Sequence, residues 1–495
     1  MENYKASSSN DQKNIMQTSQ LISYHFDESK SDETLKSLNL ILDTFSHFNE
    51  LPFNEETSFY IRISTLIEEA NEKIFLFLFN NNFFDLLRHF LMENSKPIVF
   101  QHCIDIVNKI FENSSAESFL NPFFEPTFVQ FVFYSATYIN ISSEKPPIPI
   151  INYNQVTIYV NLLKLLMNIL KKKSDIISTF RPIHFFERIC RFYLRDNNYR
   201  ASVSALDILV FSLSQENIVY ESVDLNPIDA LVNDYLFKVN EQMKVISQES
   251  DGLYRASTIR FDDFSNICQL IVLLAKRNQE NFFTTINTDI LFPVFIYTNQ
   301  LCAQACLNLF EYILSLPNVP KGFIESIDID YIHNMINSFG ALASEDDRFI
   351  IALCHFLDAF LQLSFDDTEK IIYLLNWILN DGSFRMQQEA MKSLCRIYLL
   401  PNFAHYLDRY MMDSFLPKLI SLFNSADDVL LGLILRSFIK IFEGSQASRS
   451  RELVDIIIEN DITDFVIEDI KLEEIQTLSQ LFFLLFRSFI SSEND

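Results

Sequence analysis

Six glycines in 495 residues constrain this chain more than any other feature. Average usage of about 7% would supply roughly 35, and sheets, barrels and α/β folds place glycine in the tight turns between their elements. Helices joined by short polar loops need far less, so an all-α fold is expected. The length exceeds what one compact core accommodates, which leaves several domains or a repeat array. Hydrophobic residues make up 48% of the chain, 49 of them Phe, enough apolar side chain for a long continuous core.

The placement of the glycines also bears on chemistry. Gly252, Gly322, Gly340, Gly382, Gly432 and Gly444 stand too far apart for G-x-G-x-x-G, a P-loop or a G-x-S-x-G elbow, each of which needs close glycines beside phosphate or in a strained turn. The eight His are scattered, without an H-E-x-x-H pattern. A non-catalytic chain is therefore expected, with no cofactor and no small-molecule substrate. Cys302 and Cys306 share a helix face at i and i+4, and His102-Cys103 and Cys354-His355 are adjacent pairs. A structural zinc site wants four ligands, usually with close C-x-x-C pairs, so these cysteines read as small buried hydrophobes and no metal is expected.

Net charge is -26, with a pI near 4.7. Phosphate contacts need a clustered positive field, and the one basic run, Lys171 to Lys173, reads as a solvated helix end; nucleic acid is not an expected partner. The apolar stretch Val156 to Leu170 is broken by Asn161 and Lys164 and falls short of the roughly 18 to 20 residues of a membrane span. Seven cysteines without a signal-peptide pattern predict reduced thiols, in the cytoplasm or nucleus.

Along the chain, residues 1–32 are polar and lack apolar periodicity, which predicts a disordered tail. From there to residue 490 one theme recurs: a helix, a short polar break, then a longer and more apolar helix. Leu374 to Leu379 leads through Asn380-Asp381-Gly382-Ser383 into Met386 to Leu400, and Leu419 to Phe423 leads through Asn424-Ser425-Ala426-Asp427 into Asp428 to Phe442. The same pattern is read in Phe339 to Leu363, with its break at Ser344 to Asp347, and in Phe292 to Leu316, with its break at Thr298 and Asn299. Further long helices are expected near Val107, Leu166, Leu209 and Ile271, and from Glu474 to Ile490. Exposed insertions are expected at 141–154 and 247–260, and a disordered end at 491–495. Arg255-Ala256-Ser257-Thr258, in the second insertion, has the form of a phosphate-accepting segment.

A period near 40 to 47 with two or three helices per unit resembles the armadillo/HEAT superfamily. That resemblance implies a right-handed superhelical solenoid of about nine helical repeats, in which the last helix of each unit lines a concave groove. One unit cannot bury its apolar face alone, so neighbours stack. Peptide-binding armadillo proteins of the importin-α type are similar but carry Trp-x-x-x-Asn ladders. Here the sole Trp, Trp377, is followed four residues later by Asp381, which makes a nuclear-import adaptor the weaker reading.

In a helix flanked by neighbours only a narrow stripe stays polar, its members three or four residues apart. Gln304, Asn308 and Glu311 form one such stripe; His355, Asp358 and Gln362 form the next; then come Lys392 with Arg396, and Arg436 with Lys440. Aligning the units places Asn308, His355, Lys392 and Arg436 in one column, and Glu311, Asp358, Arg396 and Lys440 in another. Upstream, Asp105, Asn108 and Glu112, then Asn161, Lys164 and Asn168, then Asp207 hold comparable positions. These columns are the expected binding groove for a peptide or helical segment of a protein partner. The alternative is a regulatory subunit that clamps an enzyme or chaperone by its convex face or an end. The four cations predict a preference for acidic ligand groups, unless Glu389 or Glu443 neutralises them from within.

Overall fold

The computed structural model describes residues 53–493 apart from short stretches, the longest being 138–154, 216–224, 249–261, 401–414 and 460–472. Among the described residues every regular element is a helix. Ten of these are numbered here in chain order: α1 Phe53–Glu68, α2 Pro97–Asn113, α3 Gln155–Lys172, α4 Tyr199–Ser214, α5 Asp262–Arg277, α6 Gln300–Leu314, α7 Arg348–Leu361, α8 Phe384–Leu399, α9 Asp428–Glu443 and α10 Glu473–Glu493. The helices between them are named by their residues.

The chain divides into two compact units, one ending at Ile228 and the other beginning at Asp229. Within the first, α1 packs on α2, α2 on α3 and α3 on α4. Within the second, α5 packs on α6 and each helix in turn on the next as far as α10. Within each unit, successive long helices thus touch one another in chain order, the contact pattern of a stacked array. A second layer covers the row. Pro126–Ala136 packs on α3 and Pro182–Arg195 on α4 in the first unit; in the second, Thr368–Asp381 packs on α8 and against Ile329–Phe339, and Leu416–Phe423 packs on α9.

Phenylalanine fills the seams between repeats. Phe310 of α6 meets Phe356 of α7 at 6.0 Å between ring centroids, and Phe438 of α9 meets Phe482 of α10 at 5.3 Å. In the first unit Phe133 stacks on Phe185 at 5.2 Å, joining the two second-layer helices. All six of these rings are buried, and each contributes about 2 to 3 kcal/mol by leaving water.

Helix ends follow local chemistry. Asp328 caps Ile329–Phe339 by accepting from the Tyr331 N–H at 3.1 Å, Ser383 caps α8, and Asp427 accepts from the Leu430 N–H at 2.8 Å at the start of α9. Gly382 precedes α8 because a Cβ there would stand 2.6 Å from the Ile378 carbonyl oxygen. Phe339, expected to open a helix, instead ends one: Gly340 takes the left-handed conformation at φ 59°, and a short 3-10 turn, Ala341–Ala343, precedes α7. The left-handed C-cap turns the chain before the next apolar run begins.

The long helices expected near Val107, Leu166, Leu209 and Ile271 fall within α2, α3, α4 and α5. The last helix runs to Glu493, taking in the first three residues of the end expected at 491–495. The helix Asn226–Gln248 takes in the first two residues of the insertion expected at 247–260. The rest of that insertion, with Ser257 and Thr258, lies outside the described residues, as do 141–154, the tail 1–32 and the break at Thr298 and Asn299. No described helix is long and apolar enough to cross a membrane.

Candidate binding face

The polar stripes of α6 to α10 join one repeat to the next. His355 on α7 lies 3.9 Å from Glu311 on α6 and 3.3 Å from Glu389 on α8. Glu389 also receives the Lys392 ammonium at 2.9 Å, and Lys392 reaches forward to Asp427, the cap of α9, at 2.7 Å. In the second column the Arg396 guanidinium donates to Asp358 on the preceding repeat. Arg436 on α9 donates to Glu474 on α10. Lys440 donates back to the Tyr398 carbonyl oxygen at 2.7 Å and lies over the Tyr398 ring at 5.2 Å. The links between repeats span 34 residues, for His355 to Glu389, to 44, for Glu311 to His355, so the repeat period reappears in the register of polar contacts.

The structure joins Asp358 to Arg396 within the second column, and Glu311 of the second column to His355 of the first. It does not join Lys392, Arg436 or Lys440 to fellow column members. Their partners are Glu389 and Asp427, Glu474, and backbone carbonyls. Asn308 is exposed on α6. Of the two carboxylates named as internal neutralisers, Glu389 fills that role for Lys392, while Glu443 is exposed at the end of α9. Asp427 and Glu474 were legible only as opposite charges one period away from Lys392 and Arg436, a separation of 35 and 38 residues.

Burial along the face is uneven. The Lys392 and Asp358 side chains are each 10% exposed, against 45% for Arg396 and 50% for Arg436. The hydrogen bond to Glu389 raises the His355 pKa against the opposing effect of burial. The same bond, followed by Lys392, holds the Glu389 carboxyl down at about 2. Burial pushes the Asp358 carboxyl up, and Arg396 offsets only part of that shift. Burial works against the Lys392 ammonium, yet Asp427 and Glu389 outweigh it and its pKa is raised.

The upstream stripes show the same construction in the first unit. The Asn168 amide donates to Asn108 Oδ1 at 3.0 Å, and the Asn108 amide donates to the Asn161 carbonyl oxygen at 3.0 Å. Lys164 pairs with Glu112 at 2.6 Å, and Asp105 with Lys109 of its own helix at 3.4 Å. Asp207 is exposed on α4. Lys171 to Lys173 are exposed at the end of α3.

All seven cysteines are buried free thiols; burial raises the pKa of Cys103 and Cys395 to about 12 and pushes the Cys190 thiol up as well. Cys306 comes within 3.9 Å of Cys268 on α5, sulfur to sulfur. Among the described residues no group of three or more His, Cys, Asp or Glu is arranged to hold a metal.

No family model matches the chain, and no curated protein matches it. Among solved structures, an engineered protein superimposes with a TM-score of 0.57 at 12% identity, over 90% of this chain and 98% of its own length. The crystal structure of SYS-1 matches at 12% identity with a TM-score of 0.48, over 94% of this chain and 79% of its own. At such identities the first likeness is one of fold alone: this chain is an all-helical protein whose long helices stack repeat upon repeat.

Proposed function

We propose that the chain is a non-catalytic protein-interaction scaffold of the armadillo/HEAT kind, which holds a peptide or helical segment of a partner protein along the α6–α9 face. The observation that carries this reading is the recurrence of polar side chains at matched positions of successive stacked helices, within otherwise apolar surroundings. Adjacent helices pack about 8 to 10 Å apart, a pitch matched by every third residue of an extended peptide at about 3.3 Å each. Buried free thiols fit a reducing compartment, cytoplasm or nucleus.

The ion pairs revise the expected preference for acidic ligands. Lys392, Arg396 and Arg436 each hold an internal carboxylate, so an acidic ligand would have to displace one. Recognition in this reading runs through hydrogen bonds and shape at the exposed positions, Asn308 and Arg436 above all. Arg396 is a poor probe, since reversing its charge would leave the shielded Asp358 opposite a second carboxylate and cost folding stability.

The test is affinity purification with mass spectrometry on the wild type and on the double variant Asn308→Glu with Arg436→Glu, in which both positions are exposed. The expected result is a several-fold loss of captured partners, with the circular dichroism spectrum and melting temperature preserved. Equal capture by a folded double variant would reject this face and favour the regulatory clamp that binds by an end or the other layer.

A further inference from the structure

Outside the row of long helices, Ile329–Phe339 and Thr368–Asp381 pack side by side in the second layer. They leave a notch of about 310 Å³ lined by Asp330, His333, Glu369, Lys370 and Tyr373 above the buried Ile329 and Leu374. Glu369, Tyr373 and Trp377 follow one another at i, i+4 and i+8 along one helix, so they share one face of it, and Trp377 continues the wall of the notch one turn beyond its lining residues. His333 stands on the facing helix, edge-on to Tyr373 at 6.1 Å and to Trp377 at 5.0 Å between ring centroids, each at 84°.

The charges in the notch are unequal. Two carboxylates face a single lysine, and Lys370 is already bonded to Asp330 at 2.7 Å and lies 3.3 Å from Asp367. Glu369 is exposed, and the Tyr373 ring beside it is 58% exposed, far more than tyrosine needs to wet its hydroxyl. A volume of this size lies at the small end of ligand sites and suits one long side chain. An exposed aromatic face next to a carboxylate attracts a cation, and guanidinium matches both at once, since its planar fork bonds a carboxylate while its face stacks on a ring. A chain of net charge -26 also draws basic segments toward its surface.

We infer that this second-layer notch receives an arginine side chain from a linear segment of a partner protein, its guanidinium bonded to Glu369 and stacked on Tyr373. The inference deepens the scaffold reading with a second surface and a stated ligand chemistry. It does not require that the α6–α9 face bind anything.

Trp377 is the only tryptophan in the chain, so its emission reports on this wall and nowhere else. The experiment titrates the full-length protein with tri-arginine and with tri-glutamate, excited at the red edge of tryptophan absorption. Tri-arginine should give a saturable change in emission that weakens as salt is added, and tri-glutamate should give none. Glu369→Gln and Tyr373→Ala should each weaken the response on the order of tenfold, the effect of removing one charge-assisted hydrogen bond or one stacked ring. Both residues are exposed, and an unchanged melting temperature certifies each variant. The proposal is overturned by a flat titration, by an equal response to tri-glutamate, or by folded variants that respond like the wild type. A flat titration from a protein that still loses its partners in the Asn308 and Arg436 double variant would remove this site and leave the scaffold reading standing.

Discussion

Asn82 and Asn318 lie at φ 57° and 61°, close to the 59° of Gly340. Asparagine tolerates this left-handed region better than other side chains because its short amide bonds the local backbone, and so the chain makes such turns with few glycines. His355 and Glu389 are the residues whose ionisation the fold alters most usefully. The His355 pKa is raised above its ordinary 6.5, so its contribution to stability is complete below 6.5 and disappears as pH rises through the folded value. Glu389 is held near 2, below its ordinary 4.5, so its contribution is complete above 4.5 and is lost as pH falls toward 2. The pair should therefore stabilise the fold most between pH 4.5 and 6.5. In thermal melts across pH, His355→Gln should lower the melting temperature most in that window and progressively less above it. Because His355 is 42% exposed, screening keeps the deficit to about 2 °C or less. A deficit constant from acid to alkaline pH would mean that the residue acts by packing alone.

One aspartate joins two elements at the α8–α9 seam. Asp427 accepts from the Leu430 N–H with Oδ1 and receives Lys392 with Oδ2, so a helix cap and an inter-repeat ion pair share one carboxylate. Asp427→Ala removes both and should cost about 2 kcal/mol, roughly one for the cap and the remainder for a shielded lysine left with Glu389 alone. Asp427→Ser keeps a capping oxygen and loses only the charge, and should fall about midway. Denaturant melts of the two variants should rank wild type, Ser, then Ala. Equal losses for Ser and Ala would assign the whole effect to the ion pair and none to the cap.

Across the molecule, the cysteines offer the clearest test of how the core is held. Cys268, Cys302 and Cys306 come from α5 and α6 and are buried among apolar side chains, which suits uncharged thiols and opposes the thiolates that a metal needs. Burial and its sulfur neighbours push the Cys306 thiol well up. Treatment with a strong chelator should accordingly leave the melting temperature unchanged. A fall of several degrees that zinc reverses would place a metal on these sulfurs.

Periodicity alone determined the class of fold. With six glycines and apolar residues returning at helical spacing, each amphipathic segment has only a like segment to cover it, which is why α2 to α5 could be placed from Val107, Leu166, Leu209 and Ile271. Helix faces were equally legible, because i, i+3 and i+4 are fixed by the helix itself: Glu311, His355, Asp358 and Arg396 do meet across their repeats. Where a helix stops was harder to read. Phe339 looks like the start of an apolar run until Gly340 turns the chain behind it. Which carboxylate satisfies which cation was decided by tertiary structure alone. Asp427 and Glu474 stand a whole repeat from Lys392 and Arg436, and only the rotation and offset of one stacked helix on the next, set by seams such as Phe310 on Phe356, bring those charges within bonding distance.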